Sequence, residues 1–153
     1  MKFMKRRLPV FSFTMLAFLA IDQASKLWAR ANLSPEKSLS LIKGFLSLTL
    51  VQNKGMAFGF FQEQNRLFLV AAVVIVSITL FYLLIYRPAS VIIRVALGLI
   101  VAGSIGNLID RTLFKQVTDF LDFHFWPVFN VADTSLVSGA ALLLAKNIFK
   151  FRR

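Results

Sequence analysis

Residues 67–86 form an uninterrupted run of twenty residues without a charged side chain, and this run constrains the chain more than any other feature. As a helix rising about 1.5 Å per residue, it would extend roughly 30 Å, the thickness of the hydrocarbon core of a bilayer. Of the 153 residues, 58 % are hydrophobic. A soluble domain of this length would expose too much of that apolar surface, so the pattern predicts a membrane protein.

We predict an all-α membrane protein with four transmembrane helices in a single domain over residues 1–153. The second and third spans are long apolar segments, whereas the first and fourth have apolar cores of only fourteen residues each. These two reach spanning length if Lys26 and Lys146 extend their ammonium groups toward the interface. The predicted spans are residues 8–28, 67–86, 91–110 and 133–149, and the predicted external segments are 29–66 and 111–132.

The basic residues divide unevenly between the two sides that four spans would create. Ten of the eighteen lie on the side of the termini, without any acidic residue, and the other side has eight basic and all seven acidic residues. The positive-inside rule then predicts cytoplasmic termini and external loops. The net charge of +11 is thus explained by topology and lipid headgroups, and no nucleic-acid partner is expected. The absence of cysteine excludes disulfides and thiol nucleophiles.

The two external segments have different patterns. Residues 46–50 alternate apolar and polar side chains, which predicts a strand in a small extramembrane sheet. Residues 111–131 are interpreted as an external loop whose aromatic stretch at 120–127 suits the headgroup region. A short interfacial helix is predicted from three phenylalanines that precede Arg66, namely Phe58, Phe60 and Phe61.

Acidic residues concentrate at the external ends of the spans, although a carboxylate in a membrane helix costs about 2.5–3.5 kcal/mol on insertion scales. Helical spacing places two glycines, an amide and a carboxylate on one face of the third span. The glycines would permit close approach of a neighbouring helix. The residues of this face are Gly103, Gly106, Asn107 and Asp110, and the five clustered acids are Asp22, Asp110, Asp119, Asp122 and Asp133.

Interhelical hydrogen bonds and helix caps explain many of these polar residues as well as catalysis does. Both interpretations stay open for Asp22, Asn107, Asp110, Arg111 and Asn130. Asp119 differs, because residues 117–121 surround it with apolar or β-branched side chains and offer no obvious basic partner. Such a carboxylate is expected to have a raised pKa, which suits acid–base chemistry.

Five short motifs occur in order along the chain, and together they resemble those of the lipoprotein signal peptidase, or signal peptidase II, family. The similarity extends over essentially the whole sequence. Each motif alone is weak, but all five in order at the ends of four predicted spans are specific. The motifs are Asp22-x-x-x-Lys26, Asn53-x-Gly-x-Ala-Phe58, Gly103-x-x-Gly-Asn-x-x-Asp-Arg111, Val117-x-Asp-Phe120 and Phe129-Asn-x-Ala-Asp133.

The resemblance implies an aspartic endopeptidase of the bacterial inner membrane, with Asp119 and Asp133 as the catalytic pair near the periplasmic face. The family cleaves prolipoproteins before a diacylglyceryl-modified cysteine, so the implied partners are that substrate and membrane lipid. It also implies a small β-cradle with a short interfacial helix. No cofactor or metal is expected, and we expect a monomer. Supporting or substrate-binding roles are implied for Asp22, Lys26, Asn53, Gly55, Asn107, Asp110, Arg111, Asn130 and Ala132.

Three other classes of function are compatible with parts of the sequence. A small four-span transporter or channel would use the acids as an ion path, but it predicts carboxylates spread through the depth of the membrane. A metal-dependent membrane hydrolase would use Asp119, Asp122, His124 and Asp133. Against it, His124 is the single histidine and lies within the aromatic stretch. A serine triad lacks a serine in a recognisable nucleophile turn.

Overall fold

A computed structural model describes residues 8–55 and 64–151 of the chain. This part contains four helices and one small sheet. The phenylalanines on which the predicted interfacial helix rests lie outside the described residues. The elements in chain order are α1 (Leu8–Asn32), β1 (Leu39–Ile42), β2 (Leu46–Asn53), α2 (Asn65–Tyr86), α3 (Val91–Phe114), β3 (Val117–Asp122) and α4 (Val131–Phe151).

Three of the helices, α1, α2 and α3, are long and apolar enough to cross a membrane. The fourth predicted span corresponds to α4 and stays a prediction. The helices extend beyond the predicted spans at the ends nearest the sheet: α1 continues to Asn32, α3 continues to Phe114 and α4 begins at Val131. The polar residues at these helix ends pair with residues of neighbouring elements. Each helix can therefore continue past the end of its apolar segment.

Helix α3 is the centre of the bundle and packs against α1, α2 and α4. A side chain at Gly103 would collide with the Ala132 carbonyl of α4, and one at Gly106 would collide with the Asp22 carboxylate of α1. The predicted role of these glycines in close helix approach is therefore confirmed. By contrast, α2 is largely exposed along its length.

The sheet has the order β1-β2-β3 with antiparallel neighbours. The predicted strand at residues 46–50 is confirmed as part of β2. The interpretation of the whole segment 111–131 as loop was wrong, because α3 extends to Phe114 and β3 pairs with β2. A small apolar cluster of Ala29, Leu48, Leu50 and Phe120 attaches the sheet to the end of α1. This attachment brings the strand residues to the helix ends, where the polar side chains gather.

Candidate active site

The polar side chains at the ends of α1 and α3, at the start of α4 and on β2 and β3 form two connected groups. The first, the ion-pair cluster, consists of Asp22, Lys26, Arg30 and Asp110. The second, the amide cluster, consists of Asp119 and Asp133 with Asn53, Asn107 and Asn130. The two clusters contain eight of the eleven residues that the sequence predicted for the site.

Lys26 is the centre of the ion-pair cluster. Its Nζ lies 3.0 Å from Asp22 Oδ2 and 3.5 Å from Asp110 Oδ2, and all three side chains are 0 % exposed. Asp22 and Lys26 pair within α1, as the i,i+4 spacing of an acid before a base favours. The prediction that Lys26 extends its ammonium group toward the interface was wrong, because two buried carboxylates hold that group inside the bundle.

The remaining carboxylate oxygens of this cluster accept further hydrogen bonds. The backbone N–H of Ala132 donates to Asp22 Oδ1 at 2.8 Å, and the N–H of Thr118 donates to Asp110 Oδ2 at 2.9 Å. Arg30 Nη1 lies 3.4 Å from Asp110 Oδ1. These two carboxylates are thus matched by cations and by backbone donors. They join α1 to α3, α4 and β3.

The amide cluster holds its two carboxylates through neutral donors. Asn130 Nδ2 donates to Asp119 Oδ1 at 2.6 Å, and Asn53 Nδ2 donates to Asp119 Oδ2 at 2.8 Å. Asn107 Nδ2 donates to Asp133 Oδ1 at 2.7 Å. Both carboxylates are therefore fixed in orientation without a direct cationic partner in the described part of the chain.

The orientation of two of these amides is determined by their other hydrogen bonds. The oxygen of Asn107 accepts from Lys26 Nζ at 2.9 Å, so its NH₂ group must face Asp133. The oxygen of Asn130 accepts from the Asp133 N–H at 2.9 Å, and the Asn130 N–H donates back to Asp133 Oδ2 at 3.3 Å. This reciprocal pair caps the start of α4 in the manner of a capping box. The same cap directs the Asn130 amide toward Asp119.

Gly55 and Arg111 support the third amide. The Gly55 N–H donates to Asn53 Oδ1 at 2.9 Å, which turns the NH₂ group of Asn53 toward Asp119. Arg111 Nη2 donates to the Gly55 carbonyl at 3.0 Å. Its guanidinium lies 4.2 Å from the centroid of the Phe68 ring, a cation–π contact. Arg111 therefore contacts the amide cluster only through the backbone of Gly55.

Asp119, on β3, has the titration behaviour that its sequence context predicted. The side chain is 1 % exposed. Burial first, and then the nearby charge of Asp133, raise the pKa of Asp119 from 3.8 to about 7 against the lowering effects of Asn53, Asn130 and Lys26. A carboxyl group with this pKa exchanges a proton near neutral pH, as a general acid or base must.

Both aspartates of the amide cluster line one cavity of about 490 Å³. The cavity lies between α2, α3, α4 and the aromatic segment after β3. Its polar lining includes Asn53, Asn107 and Arg111, and most of its remaining wall is apolar. The apolar lining residues include Phe68, Ala71, Ala72, Ile75, Leu108, Trp126, Phe129, Leu136 and Val137.

Asp122 and His124 belong to a separate group near the other end of β3. His124 Nδ1 lies 3.4 Å from Asp122 Oδ1, and Nε2 lies 3.2 Å from Ser47 Oγ. The three follow the order of a serine hydrolase triad, but Ser47 is 4 % exposed on a strand, where a substrate cannot reach it. Within residues 8–55 and 64–151 no three acidic or histidine side chains gather as a metal set. The geometry gives neither alternative support.

Arg30 and Thr118 were missed by the sequence analysis. Arg30 Nη1 donates to Thr118 Oγ1 at 2.9 Å, and its guanidinium lies 4.6 Å from the Phe114 ring centroid. A signal for Arg30 was present, because Asp22, Lys26 and Arg30 recur at intervals of four and share one face of α1. Thr118 gave no such signal, since its hydroxyl and its backbone N–H both meet partners on other elements of the fold.

Comparison with known proteins gives the chain its family. The model of the family described as signal peptidase (SPase) II matches residues 14–149. The chain belongs to this family. It is 44 % identical to the lipoprotein signal peptidase of Halothermothrix orenii over 129 residues, which cover 84 % of this chain and 88 % of that protein. It is 43 % identical to the lipoprotein signal peptidase of Caldanaerobacter subterraneus over 141 residues, covering 91 % and 97 %.

Solved structures agree with the family. A bacterial membrane enzyme determined at 2.3 Å superposes with a TM-score of 0.87 and 26 % identity, covering 91 % of this chain and 87 % of that one. A second, determined at 1.9 Å, gives 0.81 and 28 %, with coverage of 88 % and 89 %. The resemblance inferred from the five motifs is therefore confirmed. The chain is an integral membrane protein of a peptidase family, and the transporter alternative is not favoured.

Proposed function

We propose that this signal peptidase II removes the signal peptide from bacterial prolipoproteins by cleaving before the diacylglyceryl-modified cysteine. Asp119 and Asp133 act as the catalytic pair of an aspartic endopeptidase. One observation carries the proposal: two carboxylates that face one cavity are held by neutral amides, whereas the other two buried carboxylates are paired with cations. Neutral donors orient a carboxylate and leave its proton free to move.

The chemistry follows from a proton shared between the two aspartates. Two nearby carboxylates do not readily both ionise, so the pair holds one proton. The ionised aspartate takes a proton from a water molecule while the oxygen of that water attacks the scissile carbonyl carbon. The protonated aspartate hydrogen-bonds the developing oxyanion. When the tetrahedral intermediate breaks its C–N bond, the leaving nitrogen takes a proton from the pair. The pair returns to its starting state with one proton.

The asparagine amides hold the two aspartates in position without neutralising the negative charge of the pair. If a lysine contacted Asp119 directly, its charge would keep that carboxylate ionised. Lys26 instead contacts Asn107, which in turn contacts Asp133. The positive charge of Lys26 therefore acts on the aspartate pair through Asn107. It stabilises the single negative charge of the pair and leaves the shared proton in place.

The proposed setting is a single inner-membrane domain over residues 1–153, a monomer with four spans, cytoplasmic termini and no nucleic-acid partner. Helix α4 supplies the fourth span. The candidate site lies at the ends of α1 and α3 and the start of α4, where the sheet attaches, and this end is proposed to face the periplasm. At that depth two acyl chains stay in lipid while the adjoining peptide bond reaches the aspartates.

The test is cleavage of a synthetic diacylglyceryl-modified precursor by the purified full-length protein. Asp119→Asn and Asp133→Asn are each expected to lower turnover by roughly 10²–10⁴-fold while the protein still inserts and melts cooperatively. Asp122→Asn is the control, because it changes an aspartate on the same strand outside the amide cluster. Near-normal cleavage by either variant removes that residue from the mechanism, and equal cleavage of lipidated and unlipidated precursor refutes the substrate class.

A further inference from the structure

Two side chains on one face of α3 have buried polar atoms without a hydrogen-bond partner among the described residues. They are the hydroxyl of Ser104 and Nη1 of Arg111, and both residues line the cavity that contains the aspartates. Ser104 is 3 % exposed. Native proteins leave few buried polar groups unpaired, and each such group calls for an explanation. A bound substrate explains both together.

The spacing along α3 places Ser104 close to the chemistry. It precedes Asn107 by three residues and Arg111 by seven, so the three share one helix face. With about 1.5 Å of rise per residue, Ser104 lies roughly 4.5 Å from the level of Asn107, toward the middle of the helix. Because Asn107 Nδ2 holds Asp133 at 2.7 Å, a group beside Ser104 lies about one helical turn from the catalytic pair.

The other serines of the helices show what Ser104 lacks. A serine inside a helix usually satisfies its hydroxyl by donating to the carbonyl four residues earlier. Ser135 does so, at 2.8 Å from Val131 O, although it is 2 % exposed and thus as buried as Ser104. The hydroxyl of Ser104 turns about one bond, so it is free to meet an acceptor that enters the cavity.

We propose that the Ser104 hydroxyl donates a hydrogen bond to a carbonyl oxygen of the lipidated precursor and so contributes to substrate affinity. The proposal rests on the proposed function. Two kinds of substrate carbonyl flank the scissile bond. One is the peptide carbonyl one residue before the scissile carbonyl, and the other is an ester carbonyl of the diacylglyceryl group. Both offer the same acceptor chemistry.

This role predicts opposite effects on stability and on affinity. Ser104→Ala removes a buried hydroxyl that has no hydrogen-bond partner within residues 8–55 and 64–151, so the melting temperature is expected to stay the same or to rise. The KM for the diacylglyceryl precursor is expected to rise about three- to tenfold, with kcat within about twofold, because the hydrogen bond is present in ground and transition states alike. A purely structural serine would show lower melting and unchanged KM.

Ser135→Ala is the matched control, since it removes an equally buried hydroxyl that is already bonded within its own helix. It is expected to leave KM unchanged. Ser104→Cys keeps the shape of the side chain with a weak donor, and its KM is expected between those of wild type and Ser104→Ala. An unchanged KM for Ser104→Ala, or a loss in kcat alone, overturns the proposal.

A second substrate distinguishes the two carbonyls. A precursor with a dialkyl ether in place of the diacyl ester keeps the chains and loses the ester carbonyls. If Ser104 meets the ester, Ser104→Ala has no further effect on KM with the ether substrate; if it meets the peptide, the same three- to tenfold rise persists. Failure of wild type to cleave the diacyl precursor would refute the proposed function itself, whereas equal KM for wild type and variant refutes only this inference.

Discussion

Four aspartates lie within two adjacent groups, and their partners separate them into two kinds. Asp22 and Asp110, each 0 % exposed, contact Lys26 and accept backbone N–H groups. Asp119, 1 % exposed, and Asp133, which is half-buried, contact asparagine amides instead. Asp119 is as buried as Asp22 and Asp110, so burial alone does not separate the two kinds. We therefore expect the partner to decide the role, with the cation-paired aspartates structural and the amide-bound pair able to exchange a proton.

The largest effect that would test this contrast is on stability. Lys26→Met leaves the Asp22 and Asp110 carboxylates buried without their shared cation, which is expected to cost about 3–5 kcal/mol of unfolding free energy. Thermal melting of the full-length protein in detergent measures the loss. Lys146→Met, a change at an exposed lysine in α4, is the control. Equal melting of the two variants would show that the ion pairs do not hold the helices together.

The pH dependence of stability is the next expected effect. The pKa of Asp119 is about 7 in the folded chain against an ordinary 3.8, so between those values the folded chain keeps a proton that the unfolded chain releases. The free energy of unfolding therefore falls as pH rises through this interval and levels off above about 7. Asp119→Asn is expected to flatten the melting temperature against pH, whereas Glu36→Gln, at an exposed position, is expected to keep the wild-type slope.

Asn53→Ala is expected to act on turnover rather than on folding. It removes one hydrogen bond to Asp119, which corresponds to about 1.5–3 kcal/mol, or roughly 10- to 150-fold in kcat/KM. That hydrogen bond lowers the pKa of Asp119, so the variant's pKa is higher and the alkaline limb of the rate profile moves to higher pH. Asn32→Ala, at an exposed residue of α1, should shift neither quantity. An alkaline limb that stays in place would separate Asn53 from the titrating pair.

The smallest effect is expected at Asp122. Its contact with His124 is partly exposed, at 16 % and 46 % of the two side chains, and such pairs contribute at most about 1 kcal/mol. Asp122→Asn is therefore expected to change melting by a few degrees at most and cleavage by less than twofold. A large loss of activity would show that the functional part of β3 extends beyond Asp119. It would also contradict the contrast between the two clusters.

The sequence predicted the helices and the gathering of polar residues at their ends well because both leave local signals. Apolar runs mark α2 and α3, and helical spacing placed Asn107 and Asp110 on the face of α3 that meets its neighbours. The strand β3 was missed because residues 117–122 do not alternate cleanly. Its first four residues are all buried between β2 and the helix ends. That burial depends on contacts between distant segments.

Local sequence patterns also could not predict that the aspartates divide into two kinds. Spacing revealed the pairing of Asp22 with Lys26 inside α1, but the reach of Lys26 to Asp110 and Asn107 depends on how closely α1 approaches α3. The Ser104 hydroxyl meets no hydrogen-bond partner in the described part of the chain, and this too is invisible in sequence because it depends on how the helices assemble.

The start of α4 has a consequence for how far Asp133 can move. The Ala132 N–H is bonded to Asp22 of α1, and the Asp133 N–H is bonded to Asn130 of its own cap. Sliding α4 along its axis by even one residue would strip the Ala132 N–H of its acceptor on α1, whereas the Asn130 cap would move with the helix. We therefore expect tilting about this anchored end to be the easier motion of α4, with Asp133 beside the anchor, where displacement is smallest.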